Sequence, residues 1–233
     1  MAQAPVLLEM LAPVWLSIKL AGATTLCLLL FATPLAYWLA KPERRRVISR
    51  LKVVLMGLIA MPLVLPPTVI GFYLLLLLSP NSTVGSWLVA HDIGALAFTF
   101  KGIVIASIVY AMPFYVQPVY AQFLRISPNV MEAARLLEGS RFRRFFKIAL
   151  PQARVGIVLG SLISFAHTIG EFGVVLMIGG SIAGETKVVS IAIYEQVEAL
   201  NYDAAHMMSA VLIVLGMLMV GLIASVNKFT QRS

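Results

Sequence analysis

Residues 102–124 contain no Asp, Glu, Lys or Arg, and charge-free apolar runs also cover 20–40, 53–79, 155–170 and 204–227. A helix needs about 20 mostly apolar residues to cross the hydrocarbon layer of a bilayer. A helix buried in a soluble protein is equally apolar, but four or five of this length in one chain argue for a membrane. Composition agrees: 60% of the residues are apolar, 12% are charged and the mean hydropathy is +0.93. Soluble domains are typically about 45–50% apolar and about 25% charged. The expected fold is an all-α integral membrane protein with about five transmembrane helices. They are placed at about 11–40, 53–79, 102–124, 153–178 and 204–227, within one unit over 11–228.

Direction follows from the basic residues. With the N-terminus outside, segments 41–52, 125–154 and 228–233 lie inside and hold 15 of the 18 Lys and Arg. Lys19, Lys101 and Lys187 remain outside. This is the positive-inside asymmetry, and it puts the C-terminus in the cytoplasm. It also accounts for the net charge of +8 through anionic lipid, so nucleic acid is not needed as a partner. Cys27 is the only cysteine and reads as a small packed residue, which leaves neither an intrachain disulfide nor a cysteine metal site. The N-terminus lacks a basic start and its apolar run is too long for a secretory signal, so it is read as part of a retained helix.

The second inside segment, 127–151, is basic and aromatic. Ser127-Pro128 reads as N-cap and first helical residue, with Val130, Met131, Ala134 and Leu137 at helical spacing. Gly139 suits a helix end. Ser140 suits a second cap, followed by Phe142, Phe145 and Phe146 among Arg141, Arg143, Arg144 and Lys147. Pro151 is expected to start the next segment. Two readings fit this pair of short helices: an interfacial helix lying on anionic headgroups, and a helix docked in the groove of a cytoplasmic partner.

Glu132-Ala133-Ala134, Gly139, Ile148, Leu150 and Pro151 resemble the E-A-A signature of binding-protein-dependent ABC import permeases. The pattern departs at one point: Glu138 stands where the signature has its glycine, and Gly139 follows. The resemblance implies a coupling helix that fits a cleft of an ATPase subunit. Small Ala133 and Ala134 would admit a partner backbone closely, and Glu132 would pair with a cation. Two further stretches, "MPLVLPPTVIGFYLL" (61–75) and "HTIGEFGVVLMIGGSIAGET" (167–186), resemble molybdate and sulfate permeases, and Gly170-Glu171-Phe172-Gly173 followed by Gly-Glu-Thr is nearer the molybdate branch.

The likeness implies a homodimer in a bacterial-type inner membrane, with two ATP-binding cassette subunits and an extracytoplasmic oxyanion-binding protein. No cofactor is expected on this chain: ATP and Mg would sit on the partner. Molybdate is the expected substrate, with sulfate, thiosulfate and tungstate as alternatives.

Read from the residues alone, Pro62, Pro66 and Pro67 favour a kinked helix beside a cavity, and Pro113 and Pro118 suggest either the same or a packing kink. Pro66, Pro67, Thr68, Gly170, Glu171, Phe172 and Gly173 are the expected path or gate. Glu171 is an expensive intramembrane carboxylate suited to a structural or gating role, since it would repel an oxyanion. Gly170 and Gly173 suggest close helix packing. Thr68, Ser164, His167 and Thr168 are candidate donors, His167 more simply a core histidine. His91 and His206 are too far apart in sequence to suggest a metal site. "GGSIAGETK" (179–187) lacks the Lys-Ser/Thr of a phosphate loop. Two other classes remain on the residues alone. A secondary transporter would show ion-coupling groups in several helices. A membrane enzyme would show a catalytic cluster.

Overall fold

The computed structural model describes residues 3–43, 45–137 and 140–230, and these are helices joined by turns. Helix α1 (Gln3–Cys27) begins eight residues before the expected Leu11. It passes through a π turn at Leu28–Ala32 into α2 (Thr33–Ala40), so that Leu11–Ala40 forms one span-length rod. Pro13 lies inside α1. The Ser17 hydroxyl donates to the Pro13 carbonyl (2.9 Å) and accepts the Val189 N–H (2.9 Å), which pins the helix that begins at Val189 to this rod.

Lys52 closes the short connection to α3 (Arg46–Ala60) by donating to the Lys41 carbonyl at 2.6 Å, with its ammonium 4.9 Å from the Trp38 ring centroid. The expected second span, 53–79, is not one rod. After a 3₁₀ turn at Met61–Leu63 the chain bends by 115° into α4 (Pro67–Leu78). Proline explains the break, because Pro66 and Pro67 donate no N–H, while Pro67 suits the first helical position.

Helix α5 (Thr83–Ala90) is capped by Ser82, whose hydroxyl accepts the Gly85 N–H at 2.8 Å. Helix α6 (Phe100–Leu124) is capped likewise by Thr99 through Gly102 N–H at 3.1 Å, and it matches the third expected span. It runs on through Pro113 and Pro118. Pro113 is buried, so it serves packing rather than a cavity wall.

Then come α7 (Pro128–Leu137), α8 (Arg141–Arg144), a π turn at Phe145–Ala149 and α9 (Leu150–Gln152). The fourth expected span, 153–178, resolves into α10 (Arg154–Ile169) and a short α11 (Gly173–Gly179). Helices α12 (Val189–Glu198) and α13 (Tyr202–Thr230) complete the described residues, and α13 contains the last expected span.

Two apolar cores are strung along α6. One, at the basic end, gathers Leu28, Ala36, Tyr115, Val119, Ala149 and Ala153. The other, at the opposite end, gathers Leu20, Ile103, Val174, Ile178, Val188 and Ile191. Between them, Thr24 and Ser107 are fully buried, and their hydroxyls have no hydrogen-bond partner among the described residues.

Candidate functional site

At the basic end, Val130 and Met131 return their N–H groups to the Ser127 carbonyl (3.1 and 3.3 Å), which makes Ser127 the start of α7 as its sequence suggests. Glu132 and Ala133 are exposed on α7, whereas Ala134 is 3% exposed and packs into the chain. The three signature residues therefore split: two face outward and one faces inward. Glu138 and Gly139 lie outside the described residues. Ser140 precedes α8 and accepts the Arg144 N–H on its carbonyl (3.1 Å), but its side chain makes no capping bond.

Ile148 and Leu150 are half-buried and Pro151 is exposed. Pro151 does not begin the next segment. It lies within α9, and the bend of 72° comes after it, where Ala153 stands with φ −89° and ψ 3° between α9 and α10. The wide π turn before it accommodates a proline that has no N–H to return to the preceding turn. Ala149 and Ala153 are both fully buried against the basic-end core, and Phe145 packs on Tyr37 with ring centroids 4.9 Å apart. The segment 141–153 is thus fastened to the bundle by small residues that permit close approach.

Helix α10 carries that fastening across the molecule. A Cβ placed on Gly156 would lie 2.7 Å from the Pro118 carbonyl oxygen, and one on Gly160 would lie 2.9 Å from that of Tyr115. Gly156-x-x-x-Gly160 is a small-residue seam that lets α10 and α6 touch backbone to backbone. In the sequence its only signal is a glycine pair four apart.

At its far end α10 stops at Gly170-Glu171-Phe172, and α11 starts at Gly173. Here the structure joins the two expected path stretches. A Cβ on Gly173 would lie 2.9 Å from Pro67 Cβ and 3.5 Å from the Thr68 nitrogen, and one on Gly71 would lie 2.7 Å from Met177 Cβ. So α4 and α11 are locked together by glycines on both sides. Gly170 is different. Its absent Cβ would meet only the His167 carbonyl at 3.9 Å, and close packing does not require it.

Pro66 and Thr68 are exposed, while Pro67 is half-buried. Phe172 packs on Tyr194 with centroids 5.2 Å apart. Glu171 is 5% exposed. Its carbonyl accepts the Ser190 hydroxyl at 2.5 Å, and both carboxylate oxygens are buried without a partner among the described residues.

Of the candidate donors, Ser164 and Thr168 are already engaged. Their hydroxyls donate to the carbonyls of Gly160 and Ser164, each at 2.8 Å, so neither offers its proton to a passing anion. His167 lies against Phe114 (3.9 Å, stacked) and Tyr110 (5.2 Å), and its Nε2 is buried without a partner among the described residues. It is packed in the bundle as a core histidine, but it is not a satisfied one.

The segment 179–187 is a folded turn rather than an anion loop. Glu185 accepts the Phe100 N–H at 2.9 Å at the start of α6, where a negative charge suits the helix dipole. Thr186, fully buried, donates to the Gly179 carbonyl at 2.7 Å and accepts the Ile182 N–H at 3.0 Å. Gly180 and Gly184 take positive φ (61° and 78°), which glycine adopts without penalty. Lys187 and Ser181 both bond the Glu195 carboxylate. Burial raises the Glu195 pKa, but the Lys187 and Ser181 hydrogen bonds outweigh it and hold the carboxyl below its ordinary value.

Residues 32–232 match the family of binding-protein-dependent transport system inner membrane components. The chain is 41% identical, over 94% of its length and 95% of the relative's, to a molybdenum transport system permease protein of Azotobacter vinelandii. It is 34% identical to a sulfate transport system permease protein of Escherichia coli, over 76% of this chain and 62% of that one. Among solved structures, the methionine ABC transporter MetNI in an inward-facing form superposes with TM-score 0.70 at 15% identity, covering 97% of this chain and 99% of that one. A bacterial alginate ABC importer superposes with TM-score 0.68 at 17% identity, over 96% and 79% of the two chains.

Proposed function

The chain belongs to the family of binding-protein-dependent transport system inner membrane components, and from that premise we propose that it is the permease subunit of an ABC importer for an oxyanion, molybdate in the first place. Likeness to a molybdenum permease along almost the whole chain favours molybdate over sulfate. Two copies would form the pathway, with two ATPase subunits on the basic face and a substrate-loaded binding protein on the other. The N-terminus then lies outside and the C-terminus in the cytoplasm. Nucleotide and Mg are bound by the partner, and this chain supplies the movement.

One observation carries the mechanism. A single helix, α10, starts at the Ala153 bend and ends at the Gly170–Gly173 corner, where α11 is locked to Pro67 and Thr68. Exposed Glu132 and Ala133 present α7 to the ATPase. Closing of the ATPases displaces α7 and the fastened segment 141–153. The glycine seam obliges α6 and α10 to move together, so the displacement reaches the α4–α11 pair. The pathway then alternates between two states whose balance the partners set, and neither state needs strong affinity for the anion.

The test is reconstitution with ATPase and binding protein, reading ATP hydrolysis and uptake. Molybdate-loaded binding protein is expected to stimulate both. Stimulation by sulfate alone would move the substrate to the sulfate branch. Anion flux through this chain without an ATPase would favour a secondary transporter.

A further inference from the structure

An open groove of about 910 Å³ lies where the first rod, the segment 141–152 and the start of α10 diverge. The bend of 72° at Ala153 opens it. Its bed is apolar: Leu29, Leu30 and Tyr37 on one wall, Phe142 and Phe146 on the second, Val158 on the third. Leu29, Leu30, Phe142, Phe146 and Val158 are all exposed in the chain. Three exposed cations, Lys41, Arg141 and Arg154, line its mouth. They come from three separate elements: the end of the first rod and the starts of α8 and α10.

We infer that this groove is a binding site for one anionic glycerophospholipid, its headgroup in the field of Lys41, Arg141 and Arg154 and its acyl chain laid along Leu30, Phe146 and Val158. The dimensions fit. From Leu29 to Lys41 the rod rises about 18 Å at 1.5 Å per residue, close to the depth of one leaflet of a hydrocarbon layer roughly 30 Å thick. Lys41 lies immediately beyond the end of the Leu11–Ala40 span, at headgroup level. Lipid tails are as apolar as the groove, so the bed alone gives no preference among lipids. Selection comes from charge at the mouth, which an anionic headgroup complements and a zwitterionic one does not. The site shares no lining residue with the expected path or with Glu132 and Ala133, but Leu150 and Pro151 of the coupling signature line it.

The experiment uses the full chain in phosphatidylcholine nanodiscs containing a minor share of phosphatidylglycerol, with retained lipid read by native mass spectrometry. Phosphatidylglycerol is expected to be retained in preference to phosphatidylcholine by about tenfold or more. The preference is expected to vanish in the combined variant Lys41→Gln, Arg141→Gln, Arg154→Gln. It is expected to persist in Arg45→Gln, Arg46→Gln, Arg50→Gln, which removes equal charge outside the groove. Val158→Trp fills the bed without changing charge, and retention is expected to fall with it as well. Equal retention of the two lipids by the unaltered chain overturns the proposal. So does an equal loss in both triple variants, which would mean a diffuse surface field. A photoreactive residue at position 158 is expected to capture lipid, and capture of a second copy of the chain overturns the assignment.

Discussion

Helices α6 and α13 are both long enough to cross a bilayer, and their surroundings are opposite. Half of the apolar window of α6 is buried within the chain, against 6% of that of α13. Yet α13 is the more apolar of the two by sequence. Helix α6 carries Ser107, Tyr110, Tyr115, Gln117, Gln122 and two prolines. In water, apolarity marks what is inside. In a membrane the outside is oil, so apolarity marks what faces lipid or a second copy, and the mixed, kink-prone helix is the pillar. Tyr115 shows the point: fully buried, it shares a hydrogen bond of 2.7 Å with Thr33.

The comparison is broken most directly at glycine. Gly160→Leu drives a side chain into the Tyr115 carbonyl and is expected to destabilise the subunit by about 3 kcal/mol, seen as lost thermal stability in detergent. Gly216 in α13 has nothing within 4 Å of its absent Cβ. Gly216→Leu is expected to be neutral or to stabilise by up to about 1 kcal/mol through helix propensity. Equal damage from both would mean that α13 is covered in the working assembly.

Next in size is the path of force. Glu132→Arg or Ala133→Trp is expected to cut ATP-driven uptake roughly tenfold or more, the effect of about 1.4 kcal/mol in coupling, while membrane insertion is unchanged. Lys228→Glu, near the end of α13, is expected to leave uptake as it was. Uptake assays in proteoliposomes check both.

Smaller again is the interior hydrogen bond. Tyr115→Phe is expected to cost about 0.5–1.5 kcal/mol of stability. Ser225→Ala in α13 removes only a bond of 2.8 Å to the Gly221 carbonyl in its own helix, and should change the melting temperature little. The smallest effect concerns Glu195 on α12, the helix that packs on the start of α13. Its carboxyl is held low by Lys187 and Ser181 against the effect of burial, so its contribution is present above the ordinary carboxylate range. That contribution is lost as pH falls through its lowered value. The melting difference between the unaltered chain and Glu195→Gln is therefore expected at neutral pH and should shrink in acid.

The comparison also explains what could be read in the sequence. Span 102–124 matches Phe100–Leu124 within two residues, because absence of charge over a fixed length is a property of the chain alone. Pro62, Pro66 and Pro67 announced a break, but its angle of 115° depends on what α4 packs against. Ser164 and Thr168 could be recognised as polar groups in a span. That their protons return to carbonyls one turn earlier is a matter of rotamer, which spacing does not reveal. Ala133 and Ala134 are neighbours in sequence, but on a helix neighbours point about 100° apart, and only Ala133 faces outward. The meeting of Gly173 with Pro67 joins positions more than a hundred residues apart, and neither stretch alone marks them as one place.

The shortness of α10 has a consequence for thickness. Its 16 residues reach about 24 Å, less than a hydrocarbon layer of roughly 30 Å. Crossing the layer therefore needs the non-helical turn Gly170–Phe172 and α11 as well. Backbone outside a helix is tolerated in oil only where protein or water supplies its partners. At Glu171 the partner is protein: its N–H returns to the Thr168 carbonyl at 3.3 Å and its own carbonyl takes the Ser190 hydroxyl, so a helix that ends one turn too soon is finished by its neighbours.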